Sequence, residues 1–278
     1  MAKSLKAYFR LLRIRDWRAY FLMALFGFLI SKGFLFPLRE IIIFWIIVVL
    51  LLAFGFSVND CFDTKEDKYH TEKENLLVSK KISFKKALAF SIFLGILGLS
   101  LSTIFGFKIF IFALLSTLIG FFYSAPPLRF KSKPFLDLIS HGLFAGALIF
   151  FFPLLIFNKN LNFLHYLIGF SIFYLSVMAE LRNHLEDYEF DKKASLKTTI
   201  SLFKYEISRV LLDCLAFLFP LTLFPVFFLI SLKYFFLFLI FTLIFFLLFG
   251  GKYKTLKNYK IMDIYVVFSF GLLLAGMW

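Results

Sequence analysis

The chain has 278 residues, of which 61% are hydrophobic and 22% aromatic, and its formal net charge is +14. Repeated apolar runs of about 20 residues, the length that crosses about 30 Å of hydrocarbon, exclude a soluble protein and predict a polytopic helical membrane protein. No polar stretch longer than about 30 residues separates these runs, so residues 1–278 are interpreted as a single membrane domain.

The apolar runs predict an all-α polytopic membrane protein in which nine transmembrane helices surround a central cavity, with cap segments on the cytoplasmic side. The predicted spans, in chain order, are roughly 18–36, 40–58, 87–105, 108–125, 136–156, 163–181, 210–231, 233–250 and 263–278. No small-residue cleavage site follows the basic N-terminus, so the first run is interpreted as a retained span and not as a signal peptide. Pro220 and Pro225 are expected to kink the seventh span.

Lysine and arginine are distributed unequally between the two sides of this nine-span arrangement. The N-terminus and the connections on its side carry 26 of the 31 basic residues, and the opposite side carries five. The positive-inside rule therefore predicts a cytoplasmic N-terminus and a C-terminus outside the cell membrane. Topology accounts for the basic charge, so a nucleic-acid partner is not required.

Two acidic stretches directly follow apolar spans and share one pattern. Residues 58–70 read VNDCFDTKEDKYH, and residues 182–193 read RNHLEDYEFDKK. Each contains Asn, Asp and Asp spaced i, i+4, i+8, and the two sets are offset by 124 positions. The sets are Asn59, Asp63 and Asp67, and Asn183, Asp187 and Asp191. On a helix this spacing places three oxygen-bearing side chains along one face.

Such side chains point to metal chemistry at the membrane surface. Carboxylate and amide oxygens are hard ligands, suited to Mg²⁺ that also contacts phosphate oxygens. Two such faces opposite one another would hold a diphosphate between them through metal ions. Glu180, one turn before Asn183, is expected to face the same cavity.

Basic residues near these stretches are predicted to hold phosphate oxygens directly. A stiff Pro-rich connection, YSAPPLRFK at 123–131, places Tyr, Ser and Arg at the membrane edge. The predicted diphosphate-binding residues are Arg13, Lys68, Tyr123, Arg129, Lys131, Lys192 and Lys197. For each basic residue the competing interpretation is ordinary positive-inside bias.

At these residues the chain resembles the UbiA superfamily of intramembrane prenyltransferases. The first family motif, N-D-x-x-D-x-x-x-D, is matched at Asn59, Asp60, Asp63 and Asp67, and the second, D-x-x-x-D after the sixth span, at Asp187 and Asp191. The 123–131 segment and the basic start with Arg13 and Trp17 also resemble the family. Residues 74–80, ENLLVSK, depart from the Arg-Pro-(Leu/Ile)-x-x-Gly run that follows the first motif in many members.

The resemblance covers essentially the whole chain and implies a Mg²⁺-dependent prenyltransferase. Such an enzyme moves the prenyl chain of an isoprenyl diphosphate to a lipophilic or amphiphilic acceptor and releases diphosphate. The implied metal ligands are Asn59, Asp63, Asp67, Asp187 and Asp191, of which the four aspartates are the implied catalytic residues. Asp60, Asn183 and Glu180 are further candidates.

Other classes fit the sequence less well. A transporter or channel would use the carboxylates as ion sites, but such sites usually lie near the midplane and these residues cluster at one face. A CDP-alcohol phosphotransferase also uses aspartates on helices, but its Asp-Gly pair and Ala-Arg motif are missing. A catalytically inactive homologue would not need all of its metal-ligand positions to carry Asn or Asp. In this chain every such position does.

Overall fold

A computed structural model of the chain describes residues 2–70, 74–158, 160–249 and 259–278. All regular structure in these ranges is helical. Helices α1 to α7 are Ala2–Leu11, Arg18–Ile30, Leu38–Phe62, Thr64–Asp67, Phe84–Ser102, Phe107–Ser124 and Leu136–His141. Helices α8 to α13 are Leu148–Phe157, Phe163–Glu186, Tyr188–Lys193, Thr199–Ile230, Leu232–Phe249 and Tyr259–Met277. A π-helical segment, Gly142–Ala147, joins α7 to α8.

Eight of the described helical segments are long and apolar enough to cross a membrane. They are α3, α5, α6, the continuous segment Leu136–Phe157, α9, α11, α12 and α13. Large apolar side chains cover their outer faces: Leu247 is 85% exposed and Phe107 is 76% exposed. Lipid is the environment that stabilises such a surface, so the protein is an integral multi-pass membrane protein.

The first predicted span contains a shorter α-helix than the sequence suggests. Helix α2 has 13 residues and is flanked by 3₁₀ turns at Ile14–Trp17 and Gly33–Leu35. A 3₁₀ turn rises about 2.0 Å per residue against 1.5 Å in an α-helix, so these three helical pieces, laid end to end, add up to about 33 Å. The segment therefore has the reach of a span without being one continuous α-helix.

The polar connections are more helical than expected. Residues 182–209, the polar connection between the sixth and seventh predicted spans, contain the end of α9, all of α10 and the start of α11. The backbone of α11 leaves helical geometry at Lys204 (φ 63°, ψ 157°), whereas Pro220 and Pro225 lie further along the same helix. This break lies near the polar end of α11 and is separate from the kink expected at the two prolines, which stays a prediction. Most of the predicted basic connection at 251–262 and Lys159 lie outside the described residues.

The spanning segments enclose one large cavity of about 780 Å³. Helices α2, α3, α6 and α9 and the segment Leu136–Phe157 form its wall, while α5 and α11–α13 pack outside. One end of the cavity is lined by charged side chains and the other by apolar ones, including Val48, Phe112 and Phe152. Asn59 is 11 residues from Val48 along α3, and Tyr123 is 11 residues from Phe112 along α6. At 1.5 Å per helical residue, the charged and apolar ends of the cavity are therefore about 16 Å apart.

Candidate active site

The first acidic stretch is a helix that is interrupted at its middle aspartate. Helix α3 ends at Phe62, and Asp63 adopts φ −95° and ψ 11° before α4 begins. The Asp63 amide nevertheless donates to the Asn59 carbonyl at 3.0 Å, and the Asp67 amide donates to the Asp63 carbonyl at 2.8 Å. The i, i+4 register therefore continues through the break, and Asn59, Asp63 and Asp67 all line the cavity.

The second stretch repeats this geometry. Helix α9 ends at Glu186, and Asp187 adopts φ −92° and ψ 1° before α10. The Asp187 amide donates to the Asn183 carbonyl at 2.9 Å, and the Asp191 amide donates to the Asp187 carbonyl at 2.9 Å. Helix α10 packs against α4. His70 Nε2 lies 3.7 Å from Asp187 Oδ1, so the two acidic stretches meet at one end of the cavity.

Three of the predicted diphosphate-binding residues line this end of the cavity: Arg13, Tyr123 and Lys131. Lys131 is 5% exposed, and its ammonium forms a buried ion pair with Asp63. Arg13 donates to Asp60 at 3.0 Å and to Asp16 at 2.7 Å. A buried lysine beside a predicted metal ligand places a cation at the charged end of the cavity.

The structure does not bring the other four into the cavity. Arg129 lies one layer behind it, where it donates to Glu66 at 2.7 Å and to the Phe62 carbonyl at 3.3 Å. Lys68, Lys192 and Lys197 are exposed and absent from the cavity wall.

The three further candidates have different surroundings. Asp60 is 3% exposed and does not itself line the cavity, but it pairs with Arg13, which does, and so holds Arg13 in the wall. Glu180 is 6% exposed and does line the cavity. Its carboxylate accepts from Tyr123 Oη, from His184 Nε2 at 3.1 Å and from Asn183 Nδ2 at 3.1 Å.

Sequence reasoning missed two residues that shape the site. Asn75 Nδ2 donates to Asp67 Oδ2 at 2.8 Å and to the Asp60 carbonyl at 2.9 Å, so the stretch that departs from the family pattern fixes the last aspartate of the first motif. His141 lines the cavity beside Glu180, with its Nε2 3.3 Å from Glu180 Oε2. An ionisable side chain within an apolar span was the signal that could have revealed His141.

The pKa values of two residues in the site, Asp191 and Arg13, are shifted by their surroundings. Burial raises the pKa of Asp191 to about 7, a rise that His184 opposes and Asp187 increases. For Arg13, burial lowers the pKa, but Asp60 and Asp16 outweigh burial and leave it raised. Arg13 therefore stays charged, whereas Asp191 exchanges its proton near neutral pH.

The residues present fit Mg²⁺ when phosphate oxygens complete its coordination. Within residues 2–70, 74–158, 160–249 and 259–278, no three His, Cys, Asp or Glu side chains are grouped so as to hold a metal alone. Mg²⁺ normally keeps waters and takes one or two carboxylates together with substrate phosphates, so such a group is not required. Glu66 Oε2, in the same wall, is buried without a hydrogen-bond partner and offers an additional hard oxygen.

Comparison with known proteins decides the family. The UbiA prenyltransferase family matches residues 20–275. The chain belongs to the UbiA prenyltransferase family. This UbiA protein is therefore a prenyltransferase, and the all-helical fold around one cavity is the fold of its family.

Archaeal proteins are among the relatives of this UbiA protein. The digeranylgeranylglyceryl phosphate synthase of Saccharolobus solfataricus is 32% identical over 233 residues, which cover 82% of this chain and 81% of that protein. A UbiA homologue from Archaeoglobus fulgidus, solved with GPP and Mg²⁺, is 27% identical with a TM-score of 0.74 and 98% of both chains covered. The same homologue solved with DMAPP and Mg²⁺ gives 26% identity and a TM-score of 0.72, with 96% of this chain and 98% of that chain covered.

Proposed function

We propose that this UbiA enzyme transfers a prenyl chain from an isoprenyl diphosphate to a hydroxyl of a prenylated glyceryl phosphate. The observation that carries the proposal is its 32% identity over 233 residues to a digeranylgeranylglyceryl phosphate synthase. The product named there carries two prenyl chains on glyceryl phosphate, so the last transfer must add the second chain to a singly prenylated glyceryl phosphate. The acceptor is then an amphiphilic lipid, and the donor is a C20 prenyl diphosphate.

The acidic faces supply the metal site of this mechanism. Oxygen ligands come from Asn59, Asp63, Asp67, Asp187 and Asp191. When bound, Mg²⁺ neutralises the charge that develops on the diphosphate leaving group. The presence of Asp63 and Asp187 in the wall of one cavity supports this assignment.

Two cations in the cavity wall assist the departure of diphosphate. Lys131 and Arg13 hold phosphate oxygens and share the leaving-group charge. The ion pair between Lys131 and Asp63 orients the ammonium before substrate arrives, so no reorganisation is needed at the moment of reaction.

The apolar part of the cavity holds the prenyl tail and keeps water from the reacting carbon. Leu51, Phe112, Leu148 and Phe152 contribute to this part of the wall. An allylic cation is short-lived in water, so a dry aromatic-lined site directs it to the acceptor and away from hydrolysis.

We further propose that the N-terminus and the acidic end of the cavity face the cytoplasm, in the cell membrane, and that the C-terminus lies outside. The distribution of basic residues, 26 against five, supports this orientation. A reporter fused after Trp278 is expected to be active outside, and one fused before Met1 inside. A cytoplasmic signal from the C-terminal fusion contradicts the nine-span topology.

The activity itself is tested with purified protein, Mg²⁺, prenyl diphosphates of several lengths and one of three acceptors, with products identified by mass spectrometry. The acceptors are a geranylgeranylglyceryl phosphate, a hydroxylated aromatic acid and a lipid extract. The proposal expects an ether product with the glyceryl phosphate. A product formed only with the aromatic acid, or with an extract component lacking glyceryl phosphate, rules the proposal out.

A further inference from the structure

His141 occupies a special point in the backbone. It is the last residue of α7, and the π-helical segment Gly142–Ala147 begins directly after it. π-helical turns inside α-helices frequently lie at functional sites. Its side chain is 8% exposed and forms part of the cavity wall, at the level of Tyr123 and Glu180.

One ring nitrogen of His141 is fixed by α9. Nδ1 lies 3.2 Å from the Ser176 carbonyl and 3.1 Å from Ser176 Oγ, whose hydroxyl donates to the His141 carbonyl at 3.3 Å. A carbonyl oxygen only accepts, so Nδ1 carries a hydrogen. Nε2 lies at hydrogen-bond distance from the Tyr20 hydroxyl, which can donate to its lone pair, whereas its contact with Glu180 is an ion-pair distance. Gly146 permits this contact, since a Cβ there would lie 2.7 Å from Ser176 Cβ.

The other ring nitrogen is prepared to receive a proton. Nε2 lies 3.3 Å from Glu180 Oε2 and 3.4 Å from Tyr20 Oη. A proton on Nε2 would place an imidazolium against the Glu180 carboxylate, which stabilises it. Glu180 is itself held by Tyr123, His184 and Asn183, so its position does not depend on His141.

The height of this group in the cavity matches the reacting carbon. Glu180 lies seven residues before Asp187 on α9, about 10 Å towards the apolar end. The carbon that leaves diphosphate lies between the charged and the apolar parts of the cavity, because it joins the diphosphate to the prenyl tail. His141 is therefore next to the place where the new bond forms, and the four aspartates lie nearer the charged end of the cavity.

We propose that His141 is the catalytic base that removes the proton from the acceptor hydroxyl, with Glu180 as its positioning residue. The inference rests on the proposed function, which supplies an acceptor with a hydroxyl. The bond between the prenyl carbon and the bridging diphosphate oxygen breaks, and its electron pair leaves with diphosphate. The acceptor oxygen forms the ether bond to that carbon, and its proton moves to His141 Nε2.

Other bases in the wall are placed differently. His184 lies between two carboxylates, with Nε2 3.1 Å from Glu180 and Nδ1 3.6 Å from Asp137. His70 lies at the diphosphate end, 3.7 Å from Asp187. The titratable groups around His141 are Tyr20 from α2, Tyr123 from α6, and Glu180 and His184 from α9.

The test measures ether formation at saturating Mg²⁺ across pH. His141→Gln is expected to lower the transfer rate by about 10²- to 10⁴-fold, the usual contribution of a general base, while binding of GPP with Mg²⁺ is retained. The wild-type rate should fall on the acid side, because protonated imidazole accepts no proton, and that acid limb should disappear in the variant. His165→Gln is the matched control, because His165 caps α9 away from the cavity.

Two further variants keep the proposal falsifiable if His141→Gln fails to fold. Imidazole should restore part of the rate of His141→Ala, and no restoration in a variant that still binds GPP overturns the proposal. Glu180→Gln should lower kcat for transfer while KM for the prenyl diphosphate is retained, because the ring loses the carboxylate that positions it, and an unchanged kcat also overturns the proposal. If His141→Gln keeps the wild-type rate and acid limb, His141 is not the base, but the proposed function still stands. If the wild-type enzyme forms no ether product, both the proposed function and the role of His141 are wrong.

Discussion

Asp63 and Asp187, 124 residues apart, interrupt their helices with nearly the same backbone conformation, φ −95° and ψ 11° against φ −92° and ψ 1°. Each keeps its amide bonded to the asparagine four residues earlier. A continuous helix would carry α4 and α10 further along the axes of α3 and α9. The interruption lets the two short helices pack against each other over the cavity.

Removing one carboxylate from either face should remove the metal-dependent step. Asp63→Ala and Asp191→Ala are each expected to lower Mg²⁺-dependent diphosphate release by about 10²-fold or more, because the leaving-group charge loses its metal. Release of labelled diphosphate from a prenyl diphosphate measures this. Asp263→Ala is the matched control, since Asp263 is 57% exposed and pairs with Arg182 outside the cavity. Full activity in either active-site variant would refute the assignment of the metal site.

Lys131 should contribute to binding of the diphosphate. Lys131→Met keeps the aliphatic stem but removes the ammonium, and KM for the prenyl diphosphate is expected to rise about ten- to hundredfold, the value of one charge-assisted hydrogen bond. Steady-state kinetics at saturating acceptor give this number. Lys133→Met, two residues further and exposed, should leave KM unchanged. An unchanged KM in Lys131→Met would assign the lysine to folding through its pair with Asp63.

Mg²⁺ affinity should depend on pH through Asp191. Burial raises the pKa of Asp191 to about 7, so the metal must displace a proton below that pH. Between pH 6 and pH 8 the affinity is expected to rise about tenfold, because the ionised fraction rises by that factor. Magnesium titration monitored by tryptophan fluorescence measures this, and Asp191→Asn should lose the pH dependence.

The same raised pKa makes folding stability fall as pH rises, whereas Mg²⁺ affinity increases. The native state retains the Asp191 proton between the unfolded pKa of about 3.9 and the folded pKa of about 7, where the unfolded chain has lost it. The contribution of Asp191 to stability therefore falls as pH rises through this window. Metal-free protein with Asp191→Asn should lack this decrease, and an equal decrease in both proteins would exclude Asp191 as its source.

Chain length should be set at the apolar end of the cavity. Phe112 and Phe152 stack there, with ring centroids 6.3 Å apart and planes inclined by 9°. Phe112→Ala or Phe152→Ala deepens the cavity, so kcat/KM for a donor longer by one isoprene unit should rise about tenfold relative to the wild-type substrate. Phe93→Ala, on the lipid face of α5 and 59% exposed, is the control. An unchanged preference in both cavity variants would place the length limit elsewhere.

The sequence alone determined the class of protein, the spans and the paired acidic stretches. The length and apolar character of a span are local properties, because lipid requires them of each segment separately. They can therefore be predicted from the sequence without knowing how the helices pack. The spacing of Asn59, Asp63 and Asp67 is also local, and the resemblance to a prenyltransferase family rested on it. These features were enough to indicate metal-assisted chemistry on a diphosphate.

Only the tertiary structure decided which side chains share the cavity. The sequence singled out Lys131 but did not show that it is buried, and the turn buries it against Asp63 while it exposes Lys133. His141 became a candidate base only when α9 brought Ser176 and Glu180 to its two ring nitrogens. Such contacts join residues 35 or more positions apart, and they depend on how helices cross, which local periodicity does not encode.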